Sequence, residues 1–299
     1  MTLGLSKKTE ATAFVLDSPQ SVIAECIRSR GYDVFDVLVL PPRLGRLRRA
    51  HMTRRLPLQR MWFHRNFRIL EGTETVVIFD RPEMFAIARR LTATRPDVRV
   101  IIWLWNPLPA DWRPPADLDS FEVVTFDPAD AERFGFRSNS TFYFRELGSY
   151  ASGERDHDLI FVGRDKGRRA FIEGVATALT HAGSRVALEL VDDAGRGRLS
   201  YREVLERTGR SRGVLDVVQA GQRGLTLRSM EALFLDAKLL TNNPAVLAAP
   251  HFPHQNVLVL DGQQPEALLD FLREDPVVPS AAALEYYDFA AWLRRLTSG

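Results

Sequence analysis

Short apolar runs alternate with helical periodicities along the whole chain. Residues 13–16 are continuously apolar, and Ile23, Ala24 and Ile27 follow at the spacing of one helix face. Apolar runs recur at 34–40, 75–79, 98–105 and 122–126. Between them Pro82 opens a helix carrying Phe85, Ala88 and Leu91, and Pro128 opens a shorter one. The runs are apolar at successive positions, not at every second one. A strand covered on one face alternates; a strand buried on both faces, as in a parallel sheet, does not.

The alternation pauses at 146–157, a polar stretch holding Gly148 and Gly153, and then restarts. Strands are predicted at 159–162, 186–191, 214–218, 238–240 and 257–260. Helices are predicted at 168–181, 201–210, 226–235, 265–272 and 284–296. Two successive βαβ series predict an α/β protein of two Rossmann-like doubly wound domains facing a cleft. The expected division is a first domain at 1–145, a linker at 146–157 and a second domain at 158–283. A C-terminal helix at 284–299 is expected to cross back to the first domain. Ligands of such sheets bind outside the carboxyl ends of the strands, so the strand-to-helix loops are where chemistry is expected.

Composition narrows the class. With 299 residues, 45% hydrophobic and 26% charged, the chain has enough apolar surface for two cores and too much to remain disordered. Cys26 is the only cysteine, which excludes an intrachain disulfide and suits a reducing, cytosolic setting. The N-terminus has no apolar segment of the secretory kind, and the most apolar run, 100–104, is too short to cross a bilayer. The chain holds no G-x-S-x-G, no Walker A loop and no cysteine pair, so esterase, P-loop and zinc readings find no support.

The net charge of +2 hides a segregated distribution. From Val37 to Leu70 there is no Asp or Glu, while Arg43, Arg46, Arg48, Arg49, Arg54, Arg55, Arg60, Arg65 and Arg68 fall in the same stretch. Such a block seeks an anionic partner. Arg54 to Leu70 mixes arginine with Leu56, Leu58, Met61, Trp62, Phe63 and Phe67. That composition fits a helix lying on an anionic membrane, and equally a surface helix packing its rings on its own domain. Nucleic acid is not expected, because no DNA- or RNA-binding motif accompanies the charge.

Two loops carry candidate chemistry. Phe161-Val162-Gly163-Arg164-Asp165-Lys166-Gly167-Arg168 lies at a strand-to-helix junction, where backbone N–H groups and the helix dipole favour anions. Gly163 permits close approach of the backbone, and Arg164, Lys166 and Arg168 add the guanidinium forks and ammonium that a diphosphate needs. A solvated basic turn would look the same. The second loop follows the strand at 214–218: Gln222, Gly224, Thr226 and Arg228 open a helix, with Thr226 placed to cap it. Glu231 stands about one and a half turns on, at ~3.6 residues per turn, where it would accept hydrogen bonds from ribose hydroxyls. An exposed helix acid is the plain alternative, weakened by Met230, Ala232, Leu233 and Phe234 around it.

These residues resemble a known family. The stretch from Leu159 to Asn243 is similar to the nucleotide-sugar half of GT-B glycosyltransferases that build bacterial cell-surface polysaccharides such as lipopolysaccharide and capsule. FVGRDKGR resembles their VGR…KG diphosphate loop, and QRGLTLRSMEAL followed by KLLTNN resembles their donor segment. Trp105-Asn106-Pro107 and the run from Thr125 to Ala131 resemble the same group more loosely. The resemblance implies that Arg164 and Lys166 hold the diphosphate and Glu231 the ribose, with UDP the commonest nucleotide. Many retaining members carry an acid eight positions before the ribose glutamate; here that position is Arg223, so the retaining mechanism is not carried over.

An inverting reaction needs a general base from the first domain. Asp17, ending the strand at 13–16, is the first choice and Asp80, ending the strand at 75–79, the second; each also suits a turn or helix cap, as Ser18, Pro19 and Pro82 nearby indicate. Asp117-Leu118-Asp119 and Asp156-His157-Asp158 have metal-ligand spacing but lie in a Pro-rich loop and at the linker, and the six histidines form no ligand spacing. No metal and no bound cofactor is therefore expected, the nucleotide-sugar serving as co-substrate. The expected activity is transfer of a sugar to a hydroxyl of a glycan or lipid-linked acceptor. Glycosylation of a small natural product, and a non-catalytic scaffold of the same fold, are the alternatives. The expected location is cytoplasmic, with a peripheral station on the inner face of the cytoplasmic membrane through 43–70.

Overall fold

In the computed structural model, which describes residues 12–18, 20–39, 44–64, 72–192, 197 and 199–298, the chain forms two compact units. The first comprises Met1–Thr125 with Phe134–Arg137, the second Phe126–Arg133 with Ser138–Gly299. The chain thus first passes between units at Phe126, ahead of 146–157, where the linker was expected. Its first residues instead belong to a 3-10 helix, Arg145–Tyr150, in the second unit.

The first unit runs β1 (Thr12–Val15), α1 (Val22–Ser29), β2 (Asp33–Phe35), α2 (Gly45–Thr53), β3 (Thr75–Phe79), α3 (Met84–Thr94), β4 (Arg99–Leu104) and β5 (Glu122–Thr125). After α4 (Pro128–Phe134), the short β6 (Arg137–Ser138) closes the sheet, whose order is β2-β1-β3-β4-β5-β6. The ladders between β1 and β2, β1 and β3, β3 and β4, and β4 and β5 are parallel. Ser21 caps α1 by accepting from the Ala24 amide at 3.3 Å, and Val22, Ile23, Cys26 and Ile27 turn to the interior. Val15, Ile78 and Ile102 of the sheet pack with Ile87 and Leu91 of α3 as the core.

The strand expected over 34–40 is shorter. Asp36 ends it by accepting the Leu38 amide at 3.0 Å, and Leu38 then bridges to Phe63. The amphipathic helix expected from Arg54 to Leu70 is not formed over its described part. Helix α2 ends at Thr53, Arg55 and Leu58 have φ of 55° and 66°, and only Gln59–Trp62 coil again, as 3-10 helix. Pro57, which removes an amide donor and restricts the residue before it, explains the interruption. Arg43 and residues 65–70, including Arg65, Phe67 and Arg68, lie outside the described residues, as does Pro19.

The second unit continues with β7 (His157–Arg164), α5 (Arg169–His181), β8 (Val186–Val191), α6 (Tyr201–Gly209), β9 (Ser211–Asp216), α7 (Leu227–Phe234), β10 (Lys238–Thr241), β11 (Val257–Val259) and α8 (Pro265–Arg273). Its parallel sheet has the order β11-β10-β9-β7-β8. Leu159 and Phe161 of β7, Leu215 of β9 and Leu240 of β10 pack with Ile172, Leu179 and Leu269 of the helices. Ser200 and Glu203 close a reciprocal capping box on α6.

The single helix expected at 284–296 is two: α9 (Ala281–Tyr287) and α10 (Phe289–Thr297). Asp288 breaks it, its backbone extended and its Oδ2 capping α10 at the Ala290 amide, 3.0 Å away. The chain at Tyr143 inserts there: its amide donates to Tyr287 O and its carbonyl accepts from the Phe289 amide, both at 2.8 Å. Phe142 lies against Trp292 with ring centroids 4.1 Å apart. Both helices belong to the second unit.

Gly209 at the end of α6 meets the 3-10 helix so closely that an added Cβ would stand 1.9 Å from Tyr150 O. Gly209→Ala should therefore cost about 1–3 kcal/mol, as overpacking does, read as a lowered urea midpoint at unchanged m-value.

Candidate functional site

In the second sheet, β7 pairs with β8 on one side and β9 on the other. In a parallel sheet the loops on either side of such a reversal are where ligands bind, at the carboxyl edge. Those loops are 165–168 and 217–226, and both overlap the segments that the sequence singled out.

One guanidinium holds the end of β7. Arg228, on the first turn of α7, donates to Val162 O from Nε at 3.1 Å and Nη2 at 2.7 Å, and lies over the Phe161 ring, 4.8 Å from its centroid. Gly163 makes room for it. Its φ is 156°, and a Cβ there would come within 2.1 Å of Arg228 Nη2. Gly163 thus serves the fit of Arg228 against the strand end.

The next loop residues divide the work. Arg168 turns inward: it donates to the carbonyls of Arg164, Asp165 and Val217 and so ties the two loops together. Desolvation, followed by the nearby Arg228 charge, lowers its pKa from the ordinary arginine value. Arg164 and Lys166 remain exposed, with Lys166 at φ 47° and Gly167 at φ 80°. The Arg168 and Arg169 amides that follow donate to Asp165 O at 3.0 Å and Asp165 Oδ1 at 2.8 Å, so at this turn the exposed cationic side chains are what an anion would meet.

The second loop is anchored by a carboxylate of the same unit. Asp127 Oδ2 accepts the amides of Arg223 at 3.0 Å and Gly224 at 3.2 Å, so these two amides of the expected cradle already have an anion. Gly224 is packed so tightly that a Cβ would sit 2.6 Å from the Phe126 ring. Gln222 donates to Gly224 O at 3.3 Å, and Arg223 pairs with Glu132. Thr226 caps α7 by accepting from the Arg228 and Ser229 amides, and donates its hydroxyl proton to Asp216 Oδ2 at 2.8 Å.

Asp216 was not singled out from the sequence. It ends β9, is 1% exposed, and accepts also from Ser229 Oγ at 3.0 Å, while its Oδ1 has no hydrogen-bond partner among the described residues and lies 3.7 Å from Arg228 Nη1. The signal was an acid in the middle of an apolar run, which reads as a strand interior only if the strand extends to 218.

Glu231 is 5% exposed. Tyr201 donates to its Oε1 at 3.0 Å, and the Tyr201 and Tyr143 hydroxyls lie 3.1 Å apart. Burial pushes the Glu231 pKa up to about 7, with the Arg228 charge and the Tyr201 hydrogen bond opposing the rise. Burial also drives the Tyr201 hydroxyl well above its usual range, so it stays a donor. Among the described residues nothing donates to Oε2 of Glu231.

In the first sheet the same reversal lies between β1 and β3, and the residues after these strands form a charged group. Arg81, with its side chain 1% exposed, stands 3.0 Å from Asp17 Oδ1, 3.6 Å from Asp36 Oδ1 and 3.5 Å from Glu83 Oε2. Arg48, also buried, donates to Glu83 at 3.2 Å and to Val39 O at 3.0 Å. Asp17 is the exposed member, with 72% of its side chain open to solvent. Asp80 accepts from the Asn106 amide group at 3.0 and 3.3 Å. Neither Asp17 nor Asp80 caps a helix; Ser21 does that for α1.

The Asp-x-Asp pairs are engaged with arginines. Arg89, then Arg55, hold the Asp117 carboxyl well below the usual carboxylate range. Asp156 pairs with Arg210, and Asp158 accepts the Arg185 amide at 2.8 Å. Among the described residues, no group of three or more His, Cys, Asp or Glu is placed to hold a metal ion, and no helix is long and apolar enough to cross a membrane.

No family model matches the sequence, and no curated protein matches it. The structure is similar to that of AviGT4, a glycosyltransferase involved in Avilamycin A biosynthesis, over 96% of this chain and 98% of that one, at 13% identity and a TM-score of 0.58. An α1,3-fucosyltransferase with GDP aligns over 100% of this chain and 94% of its own, at 12% identity and a weaker TM-score of 0.47. The two parallel-sheet units and the first of these likenesses give the fold class: α/β, Rossmann-like in both units, of the GT-B glycosyltransferase type.

The buried carboxyl of Glu231 makes stability pH-dependent. Its folded pKa, about 7, lies above the ordinary value of 4.5, so between these the folded chain binds more protons than the unfolded one. Stability from this group is full below the unfolded value and falls, by roughly 3 kcal/mol in all, as pH rises through 7. Glu231→Gln keeps an acceptor for Tyr201 and removes the titration. Melting curves from pH 5 to 8 should show the variant gaining on the wild type as pH rises; parallel curves would refute the assignment.

Proposed function

We propose that this protein is a glycosyltransferase that moves a sugar from a nucleoside-diphosphate sugar to a hydroxyl acceptor, in the assembly of a bacterial surface glycan. The observation that carries this reading is the convergence at the β7/β9 reversal. Exposed Arg164 and Lys166 stand at the carboxyl end of β7, and α7, which carries Glu231, starts after β9, the two strands whose ends a ligand of a parallel sheet would meet. In this reading Arg164 and Lys166 take the diphosphate, and Oε2 of Glu231 accepts from the ribose. Gly163, Arg168, Gln222, Gly224, Thr226 and Arg228 shape the loops around them.

The acceptor oxygen attacks the anomeric carbon as the bond from that carbon to the diphosphate oxygen breaks. The departing diphosphate gains negative charge, which Arg164, Lys166 and the dipole of α7 stabilise. No metal is needed if those groups neutralise it. The acceptor's proton goes to a carboxylate of the first unit, Asp17 before Asp80, with Arg81 fixing the position of Asp17. Transfer to a small natural product is the second reading, favoured by the involvement of AviGT4 in Avilamycin A biosynthesis. A non-catalytic scaffold is the third, and slow donor hydrolysis without acceptor would exclude it.

Three measurements follow. A thermal-shift titration in EDTA against UDP, GDP, CDP, dTDP and ADP should give selective stabilisation by one of them, UDP being the first expectation. Arg164→Ala with Lys166→Ala should weaken it about tenfold or more, as loss of charge-assisted hydrogen bonds does; no shift with any nucleotide would reject a donor site. Asp17→Asn should lower kcat by about 10²–10⁴-fold with donor affinity retained, and unchanged turnover passes the role to Asp80. For a lipid-linked acceptor, peripheral docking is expected through exposed Leu44, Leu47, Leu56, Leu58 and Met61, set among exposed arginines. Co-sedimentation should need anionic lipid and should fall with Leu58→Ser plus Met61→Ser.

A further inference from the structure

A cavity of about 500 Å³ opens wholly within the first unit, between the end of α2, the start of α3 and the loop around residues 112–116. Its volume suits one or two sugar rings. Five arginines line it, Arg54, Arg55, Arg81, Arg89 and Arg113, and among the described residues no acidic side chain does. Asp117 stands beside it and takes Arg89 bidentately, at 2.7 and 2.9 Å, together with Arg55. That carboxylate fixes two of the guanidinium groups and neutralises one charge. Arg54 and Arg113 are exposed, and their guanidinium groups have no hydrogen-bond or ion-pair partner among the described residues. Arg81 is matched by its own carboxylates.

Three positive charges in excess are more than a single carboxylate matches, whereas a phosphate ester brings up to two negative charges and oxygens in several directions. The remaining wall is mostly apolar, with two aromatic rings beside Met52 and Met84. Phe85 and Trp112 are half-buried, and Trp112 is held by Phe134 edge to face at 4.7 Å. A fixed indole in a basic cavity suits a ring with an apolar face and a charged substituent. The basic stretch thus has a local use, since Arg54 and Arg55 come from it.

We propose that this cavity binds a phosphorylated saccharide, its phosphate between Arg54 and Arg113 and its ring against Trp112, as the acceptor-side ligand of the enzyme. The assignment as acceptor rests on the glycosyltransferase reading; the binding chemistry does not. The ligand is either a free sugar phosphate or the head group of a lipid-linked one.

The test is calorimetry and tryptophan fluorescence on the full chain with glucosamine 1-phosphate, glucosamine and inorganic phosphate, beside vesicles with and without a lipid-linked sugar phosphate. Nucleoside diphosphate binding is measured on the same samples. The sugar phosphate, free or lipid-borne, should bind about tenfold or more tightly than inorganic phosphate, with glucosamine not binding. Arg54→Ala with Arg113→Ala should weaken it at least about tenfold and leave nucleotide binding and the melting temperature unchanged. Arg113→Lys should recover part of the affinity. Binding to vesicles alone assigns the lipid-borne source, and binding of the free compound the soluble one. Equal affinity for inorganic phosphate, no effect of the double substitution, or no binding in either arm overturns the proposal. Loss of nucleotide binding with the sugar phosphate still bound removes the donor reading and leaves this cavity standing.

Discussion

Parallel pairing is the constraint on which the rest depends. A parallel strand cannot return through a hairpin, so each strand must be followed by a crossover, and the crossovers cover both faces of the sheet. Where the winding changes direction, two successive loops part at the carboxyl edge. In the first unit this happens between β1 and β3, in the second between β7 and β9. Asp17 and Arg81 follow β1 and β3; Arg164 ends β7, and Lys166 and the loop to Thr226 follow β7 and β9. Residues far apart in the chain become neighbours because of one topological rule.

Arginine has three distinct uses here. Some guanidinium groups satisfy carbonyls that the loops would otherwise leave unpaired. Arg228 does so at Val162, Arg168 at Val217, and Arg155 at Gly209, Ser211 and Asp236. Others build buried ion groups, as Arg48 and Arg81 do around Glu83. A buried guanidinium without such partners would be strongly unfavourable, so these are structural necessities. Still others are exposed, among them Arg164 in the second unit and Arg54 and Arg113 in the first, and these are the ones to which the proposed ligand binding is assigned. Net charge alone does not separate these roles.

The candidate site combines rigidity with a reserve of protonation. Gly163 and Gly224 let a guanidinium and a ring pack where any side chain would collide, which holds both loops in place. Behind them Glu231, Tyr201 and Tyr143 form a buried chain of hydroxyls ending on a carboxyl that burial has made hard to ionise. A ligand donating to Glu231 would favour its charged form, so binding and proton release are linked at this position.

Much of the fold was legible in the chain, because strands buried on both faces need unbroken apolar runs and helices need one apolar stripe. The strand at 75–79 and the strand at 186–191 were read to the residue, and Thr226 was recognised as a cap. Local chemistry ended other elements early: Asp36 and Pro57 cut short a strand and a helix, and Asp288 split the last helix where Tyr143 inserts. By itself the sequence determined the α/β class, the parallel sheets and the loops that carry charge, since these depend on neighbours a few residues apart. Only the tertiary structure decided that Arg168 and Arg228 face carbonyls while Arg164 faces solvent. It also decided that Asp127 occupies the amides of the second loop, and that Arg54 and Arg113 share a cavity with Trp112. Those are contacts between distant segments, and the sheet order that brings them together is not written in any local pattern.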